Sequence, residues 1–206
     1  MTRLTDRPFR ELLAAFADSG PTPGGGSAAA LAASVGLSLL TMVAGMHRTR
    51  NGTDEDRSVL DRARESLEHL TDHAVQLVDD DSAAYDAVVA AYRRPRATDE
   101  ERAERQQAIQ AALRGAVEVP LEVMRSCRAG LAAALDVAHR GNPSAASDVG
   151  VAVELLGAAS LSAALNVRIN LPNLSDPGFV SGVGNEATHL EAGAAALSTE
   201  VTAALS

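Results

Sequence analysis

The chain has 206 residues, 46% hydrophobic but only 2% aromatic, with a formal net charge of −9. That length suffices for one sizeable core and reads as a single domain over residues 1–206. The acidic balance excludes a nucleic-acid backbone as the main partner, because phosphate binding needs a basic face, whereas a small anionic ligand needs only a few local donors.

Cys127 is the single cysteine, so no intrachain disulfide can form, and a reducing, cytoplasmic setting is expected. The opening stretch MTRLTDRPFRELL has acidic residues and no long apolar core, so it does not read as a secretion signal. Asp6 offers an N-cap to a first helix. Phe9, Leu12, Leu13, Phe16 and Ala17 then follow helical spacing until Gly20 and Pro21 stop it.

PTPGGGSAAALAASVGLSLL comes next and sets three glycines before a run of small and apolar residues. No charge occurs from Pro21 to Met46, a length that could span a bilayer. Glycine, serine and threonine give that stretch little drive to insert, however. Its expected role is a central helix, about Ser27 to Met46, buried on all sides and packed through small residues, with no membrane contact. The glycines are not a Walker loop: no Gly-Lys-Ser/Thr follows and no strand precedes them. Two readings stand. One is a helix entrance that permits close packing. The other is a ligand site at a helix N-terminus, built from Gly24, Gly25, Gly26 and Ser27.

A polar turn, HRTRNGTDED, leads into a third helix that ends before Pro95. Its apolar seam runs Leu60, Ala63, Leu67, Leu70, Ala74, Leu77, then Ala84, Val88 and Ala91. One tooth is missing from the 3-4 spacing, and Asp81 fills the gap. Asp79 and Asp80 lie off the seam. A carboxylate on a buried seam is either held by hydrogen bonds or used in proton transfer. His69 and His73 have i, i+4 spacing but lie on the polar side without a third ligand, so no metal is expected.

RATDEERAER opens the next helix with a capping box from Thr98 and Glu101. Ile109, Leu113, Ala116 and Val117 face inward until Pro120, where the helix should kink or break. Leu121, Met124, Leu131 and Leu135 continue the stripe, with Cys127 as core packing, and Gly141 closes it. Asn142-Pro143 opens a nearly uncharged helix from about Ser144 to Leu171. Asp148 and Asn166 share one of its faces five turns apart, Asn170 follows at i+4, and Arg168 points to the opposite side. Asp148 reads equally well as a helix-dipole residue. LPNLSDPGFVSGVGN reads as loop, before a last helix carrying Leu190, Ala194, Leu197 and Val201. No segment has strand periodicity, so the fold class is all-α, a bundle of about six helices. Its surplus of apolar helix surface points to a homodimer.

PTPGGGSAAALAA, LVDDDSAAYDAVVAAYRRP, EVPLEV, GNPSAASDVGVA and LNVRINL, in this order, resemble the cyclodeaminase/cyclohydrolase family. That family comprises the C-terminal domain of formiminotransferase-cyclodeaminase and the free-standing bacterial methenyltetrahydrofolate cyclohydrolases. The resemblance covers nearly the whole chain. It implies a dimerising helical domain that binds a tetrahydrofolate derivative near the glycine-loop helix and needs no metal or redox cofactor. The implied reaction is hydrolysis of 5,10-methenyltetrahydrofolate to 10-formyltetrahydrofolate, or cyclodeamination of 5-formiminotetrahydrofolate with release of ammonia. The sequence carries no formiminotransferase segment, which favours the hydrolysis.

The resemblance also implies a catalytic aspartate within VDDDSAAY; the seam favours Asp81, with Asp79 in support. Gly24 to Ser27, Asp148, Asn166, Arg168 and Asn170 become the expected substrate-binding residues. Where the family often has a lysine-rich stretch, this chain reads GMHRTRNG, leaving Arg48 and Arg50 for a polyglutamate tail. A non-catalytic folate-binding protein is the rival reading, and the intact Asp81 and glycine loop argue against it.

Overall fold

Capping chemistry sets most helix boundaries in the computed structural model, which describes residues 3–205. Among these residues there are six α-helices and no strand: α1 Phe9–Ala17, α2 Gly25–Ala44, α3 Asp54–Tyr92, α4 Asp99–Arg140, α5 Ala146–Asn170 and α6 Pro177–Ala204. The hydroxyl of Thr53 accepts from the Asp56 N–H at the start of α3. The expected capping box opens α4, with Thr98 Oγ1 accepting from Glu101 N–H at 3.1 Å and Glu101 Oε2 accepting from Thr98 N–H at 3.2 Å.

Several expectations about the helices need correction. Asp6 does not cap α1; it ends a 3-10 turn, Leu4–Asp6, and Pro8 takes the N-cap position. Of the proposed α1 stripe only Leu12 is buried, while Phe9 and Leu13 face outward. Most of LPNLSDPGFVSGVGN is helix rather than loop. Asp176 caps Phe179 N–H at 3.1 Å and Pro177 takes the first turn, a start signal that the neighbouring glycines obscure.

A further correction concerns the break expected at Pro120. Instead of breaking, α4 runs on for 42 residues. Proline removes the N–H that the Ala116 carbonyl would normally receive. Asn170 at the end of α5 supplies the missing donor, its Nδ2 lying 3.2 Å from Ala116 O. The same amide donates to Asn166 O at 3.0 Å. A proline in one helix is thus accommodated by an amide from another.

Small residues let α2 pack against α3, α4 and α5 at once. A Cβ on Gly36 would lie 3.0 Å from Leu156 Cγ and 3.1 Å from the Ala152 carbonyl. One on Gly130 of α4 would lie 2.5 Å from Leu37 Cδ2. Gly25 faces Asn166 whereas Gly36 faces Ala152 and Leu156, so α2 and α5 run antiparallel. Leu37, Leu40 and Val43 anchor the core side of α2, and Cys127 is fully buried in α4, its thiol pushed up to about 12 by burial.

Burial of α2 is nevertheless one-sided: Val35 and Met42 are exposed, as are Val151, Leu161, Leu165 and Ile169 of α5, at 44% to 72%. Gly25–Ala44 and Pro143–Asn173 are each long and apolar enough to cross a membrane by length and composition. Their most apolar windows are 56% and 44% buried inside the fold, so much of that apolarity serves the core.

The Asn170 amide gives a stability prediction. Asn170→Ala should destabilise the fold by about 1 kcal/mol, because the part-buried Ala116 carbonyl loses its donor. In a Pro120→Ala background the alanine N–H can take the Ala116 carbonyl, so the same substitution should cost clearly less. Urea titrations of the four proteins in this cycle measure the coupling; equal losses in both backgrounds would refute the link.

Candidate active site

The seam aspartate of α3 meets the first turn of α2. Asp81 Oδ2 accepts from Ser27 N–H at 2.8 Å and from Ser27 Oγ at 3.0 Å. Ser27 is fully buried, and its hydroxyl also lies 3.2 Å from Ser82 Oγ. A Cβ on Gly26 would sit 2.0 Å from Asp81 Oδ1, so the carboxylate occupies the space that a side chain would take. This assigns one glycine of the triplet a definite task. The helix N-terminus adds free N–H donors and a positive dipole end.

Asp81 is half-buried, and burial raises its pKa above the usual carboxylate value; the hydroxyl and N–H of Ser27 pull in the opposite direction without cancelling the rise. A carboxylate tuned upward in this way is better matched to proton transfer near neutrality.

Asn166 stands across from the glycines: its Nδ2 would be 3.6 Å from a Cβ on Gly25. That amide nitrogen donates to Ser162 O at 2.9 Å. Gly24 is the N-cap of α2, and Asn170 follows on the next turn of α5. The structure therefore brings together Gly24, Gly25, Gly26, Ser27, Asp81 and Asn166, whereas the amide of Asn170 is turned to Ala116 of α4.

Other expected residues lie elsewhere. Asp79 points to the N-terminal segment, accepting from Leu4 N–H at 2.5 Å and Thr5 Oγ1 at 2.7 Å, with Arg3 at 3.4 Å. Arg168 forms an ion pair with Glu191 of α6. Asp148 sits in the first turn of α5, and eighteen residues at the helical rise put it about 27 Å from Asn166. Arg50 donates to Ala138 O at 3.1 Å beyond the far end of α2, so it lies about 25 Å or more from Ser27. Arg48 belongs to the same distant segment.

Sequence reasoning missed Ser82, whose only signal was a hydroxyl beside the seam aspartate. It also missed the cavities flanking α3. One, of about 440 Å³, is bounded by Arg3, Arg7, Thr22, Pro23 and Ser82 beside the glycine loop. The other, about 700 Å³, is bounded by His73, Asp80, Glu122, Arg125, Phe179 and Glu186. Arg125 there bridges Glu122 and Glu186, each at 2.6 Å. Among the described residues no three His, Cys, Asp or Glu side chains are grouped so as to hold a metal ion.

The chain that carries this site has known relatives. The family model described as formiminotransferase-cyclodeaminase matches residues 8–189. The chain belongs to that family. It is 40% identical over 186 residues to a methenyltetrahydrofolate cyclohydrolase of Methylorubrum extorquens, covering 90% of this chain and 89% of that protein. It is 33% identical over 187 residues to formimidoyltransferase-cyclodeaminase of Gallus gallus, covering 91% of this chain but only 35% of that longer protein. The crystal structure of formiminotetrahydrofolate cyclodeaminase from Thermotoga maritima superposes with a TM-score of 0.86 at 27% identity, over 97% of this chain and 96% of that one.

The raised pKa of Asp81 fixes the sign of a pH effect. Its ionisation costs the fold stability as pH rises from below about 3.9 through the raised native value. Asp81→Asn carries no such charge, so its stability relative to wild type should improve across that interval and level off above it. Urea midpoints between about pH 3.5 and 7 measure the difference; a relative stability that falls with rising pH would contradict a desolvated carboxylate.

Proposed function

We propose that the protein hydrolyses 5,10-methenyltetrahydrofolate to 10-formyltetrahydrofolate, with Asp81 as the proton-transferring group. The observation that carries this reading is the seat of Asp81: a half-buried carboxylate of raised pKa fixed against Ser27 at a glycine-rich helix start. The cyclohydrolase relative, matched over most of both chains, supports the choice of reaction. Gly24, Gly25 and Gly26 would give the folate close access to backbone amides, the Ser27 N–H being taken by Asp81, and Asn166 borders the same space.

In this mechanism Asp81 removes a proton from the water that attacks the methenyl carbon. It returns that proton to the departing ring nitrogen as the carbon–nitrogen bond breaks. The remaining hydroxyl proton leaves as the formyl carbonyl forms. A methenyl cation and water thus become a neutral formyl product and one released proton. Proton transfer by a carboxylate needs no metal or redox cofactor.

One observation favours a second reading. The structural relative with a TM-score of 0.86 is named a formiminotetrahydrofolate cyclodeaminase. In that reaction the carboxylate would take a proton from the attacking folate nitrogen and return it to the departing amine. Methenyl absorbance separates the two: it falls when the protein hydrolyses the methenyl substrate and rises when it deaminates the formimino substrate.

Asp81→Asn should lower turnover by about 10² to 10⁴, the usual worth of general acid–base catalysis. Gly26→Ala should lower it too, because the added methyl displaces the carboxylate from Ser27. Full activity in both variants would reject Asp81 as the reacting group.

We further propose that the protein acts as a homodimer joined through the exposed faces of α2 and α5. Leu165→Glu places a charge on that face and should convert the wild-type dimer to monomer in sedimentation velocity at micromolar concentration. A wild-type monomer under those conditions would exclude the dimer.

A further inference from the structure

Two serine hydroxyls join Asp81 to a cavity that the folate reading leaves unused. Ser27 Oγ lies 3.0 Å from Asp81 Oδ2 and 3.2 Å from Ser82 Oγ, a contact that either hydroxyl can donate. Ser82 in turn lines the cavity of about 440 Å³, whose walls do not include Asp81. Ser27 is 0% exposed, so the middle of this chain of oxygens is closed to bulk water. The far end is open: Arg3, Asp18 and Asp86 border the cavity and are exposed. Asp86 stands one turn beyond Ser82 on the same face of α3.

Hydroxyls inside helices commonly donate to a carbonyl of their own helix three or four residues back. Ser34, Ser38 and Thr41 of α2 do so, as does Thr71 of α3. Ser82, also in mid-helix, gives up that bond, and its one hydrogen bond among the described residues is to Ser27. Ser27 reaches across to α3 twice, to the carboxylate and to Ser82. The two hydroxyls are therefore turned toward each other, and one of them toward Asp81.

The proposed hydrolysis gives these groups a task, and the inference rests on that reading. Each turnover releases one proton. Once Asp81 has protonated the ring nitrogen it is a carboxylate again, and it takes the hydroxyl proton as the formyl carbonyl forms. It must lose that proton before the next cycle, with the product over its open side and α2 over the other. We propose that Ser27 and Ser82 relay the proton from Asp81 to water in the cavity between α3 and the N-terminal segment. The Asp81 O–H bond breaks as Ser27 Oγ gains a proton. The hydrogen that Ser27 carried passes to Ser82 Oγ, and the one that Ser82 carried passes to water. Both serines end neutral, Asp81 ends ionised, and one hydronium enters the cavity. Rotation of the two hydroxyls restores the starting order. Ser82 thus acts through Ser27 on Asp81 and does not touch the folate.

Turnover kinetics test the relay. Ser82→Ala removes one oxygen of the chain, leaves both contacts of Ser27 with Asp81, and places a better helix former in α3. In weakly buffered solution its kcat should fall about tenfold, less than the roughly 10² to 10⁴ lost with the acid–base group itself, because water still reaches Asp81 slowly. The ratio kcat/KM should hold, because the slowed step follows the chemistry. A single turnover with protein in excess should run at the wild-type rate, since Asp81 begins ionised. Imidazole is small enough to enter a cavity of about 440 Å³ and should restore kcat as an external proton acceptor. Ser82→Thr, which keeps the hydroxyl, should stay near wild type.

An unchanged kcat in Ser82→Ala overturns the relay. So does a single turnover slowed as much as kcat, which would mark a structural role, and so does a slow variant that imidazole does not quicken. A wild-type protein that does not hydrolyse methenyltetrahydrofolate would defeat the functional reading, and this inference with it. Wild-type hydrolysis combined with any of the first three results defeats the relay alone.

Discussion

Asp81 reaches the Ser27 amide only because Gly26 has no side chain; a methyl there would lie 2.0 Å from its Oδ1. The contact joins two segments 54 residues apart in sequence and fixes the start of α2 against the middle of α3. It also sets the electrostatics. The carboxylate loses solvent to the helix packing, which raises its pKa, and gains the two donors of Ser27, which restrain the rise. Either influence alone would give a different group: a permanently charged cap, or a neutral acid buried in the core.

Holding that contact requires a rigid α2, and small residues provide the rigidity. Gly36 and Gly130 allow α5 side chains and Leu37 to approach closer than any larger residue would permit. At the other end of α2, Arg57 donates to Met46 O at 2.7 Å and also to Ala44 O, capping the helix C-terminus with a cation. The buried Asp56 clamps the following turn. Burial pushes its pKa up, but Asn51 N–H at 3.0 Å and Arg140 at 3.2 Å outweigh that and hold it below the usual range. Asn170 then ties the end of α5 to α4 through the carbonyl that Pro120 leaves unpaired. Both ends of the α2–α5 pair are therefore fixed by polar links, while its middle is fixed by close apolar packing.

Local chemistry was readable in the sequence; partners supplied from a distance were not. The capping box at Thr98 and the tooth missing at Asp81 depend on spacing within one helix, and the structure has the box and seats the aspartate against α2. Pro120 misled because the donor that serves the carbonyl it leaves unpaired is Asn170, 54 residues from Ala116 and on another helix. The start of α6 was hidden because Gly178, Gly182 and Gly184 weaken the local helix signal, whereas the Asp176-Pro177 cap and packing against α4 and α5 suffice to form it. Placing Asp148 with Asn166 illustrates a third kind of difficulty. Periodicity correctly gives a shared face, but one face of a long helix extends further than any single small-molecule site.

The charge of the proposed substrate bears directly on the proton-transfer role proposed for Asp81. Methenyltetrahydrofolate is a cation at its reacting carbon, so its arrival beside the carboxylate favours the ionised form just when a base is needed. Attack by water removes that positive charge from the folate. Asp81 then holds the abstracted proton more firmly, because the opposite charge that favoured ionisation has gone while the burial remains. As the ring nitrogen departs it gains basicity and draws the proton across. A carboxylate left in open water would respond weakly to these changes, since solvent screens them. Seated on Gly26 and Ser27, Asp81 is open on one side and shielded by α2 on the other, so in the proposed reaction the substrate's own change of charge would time the proton transfer.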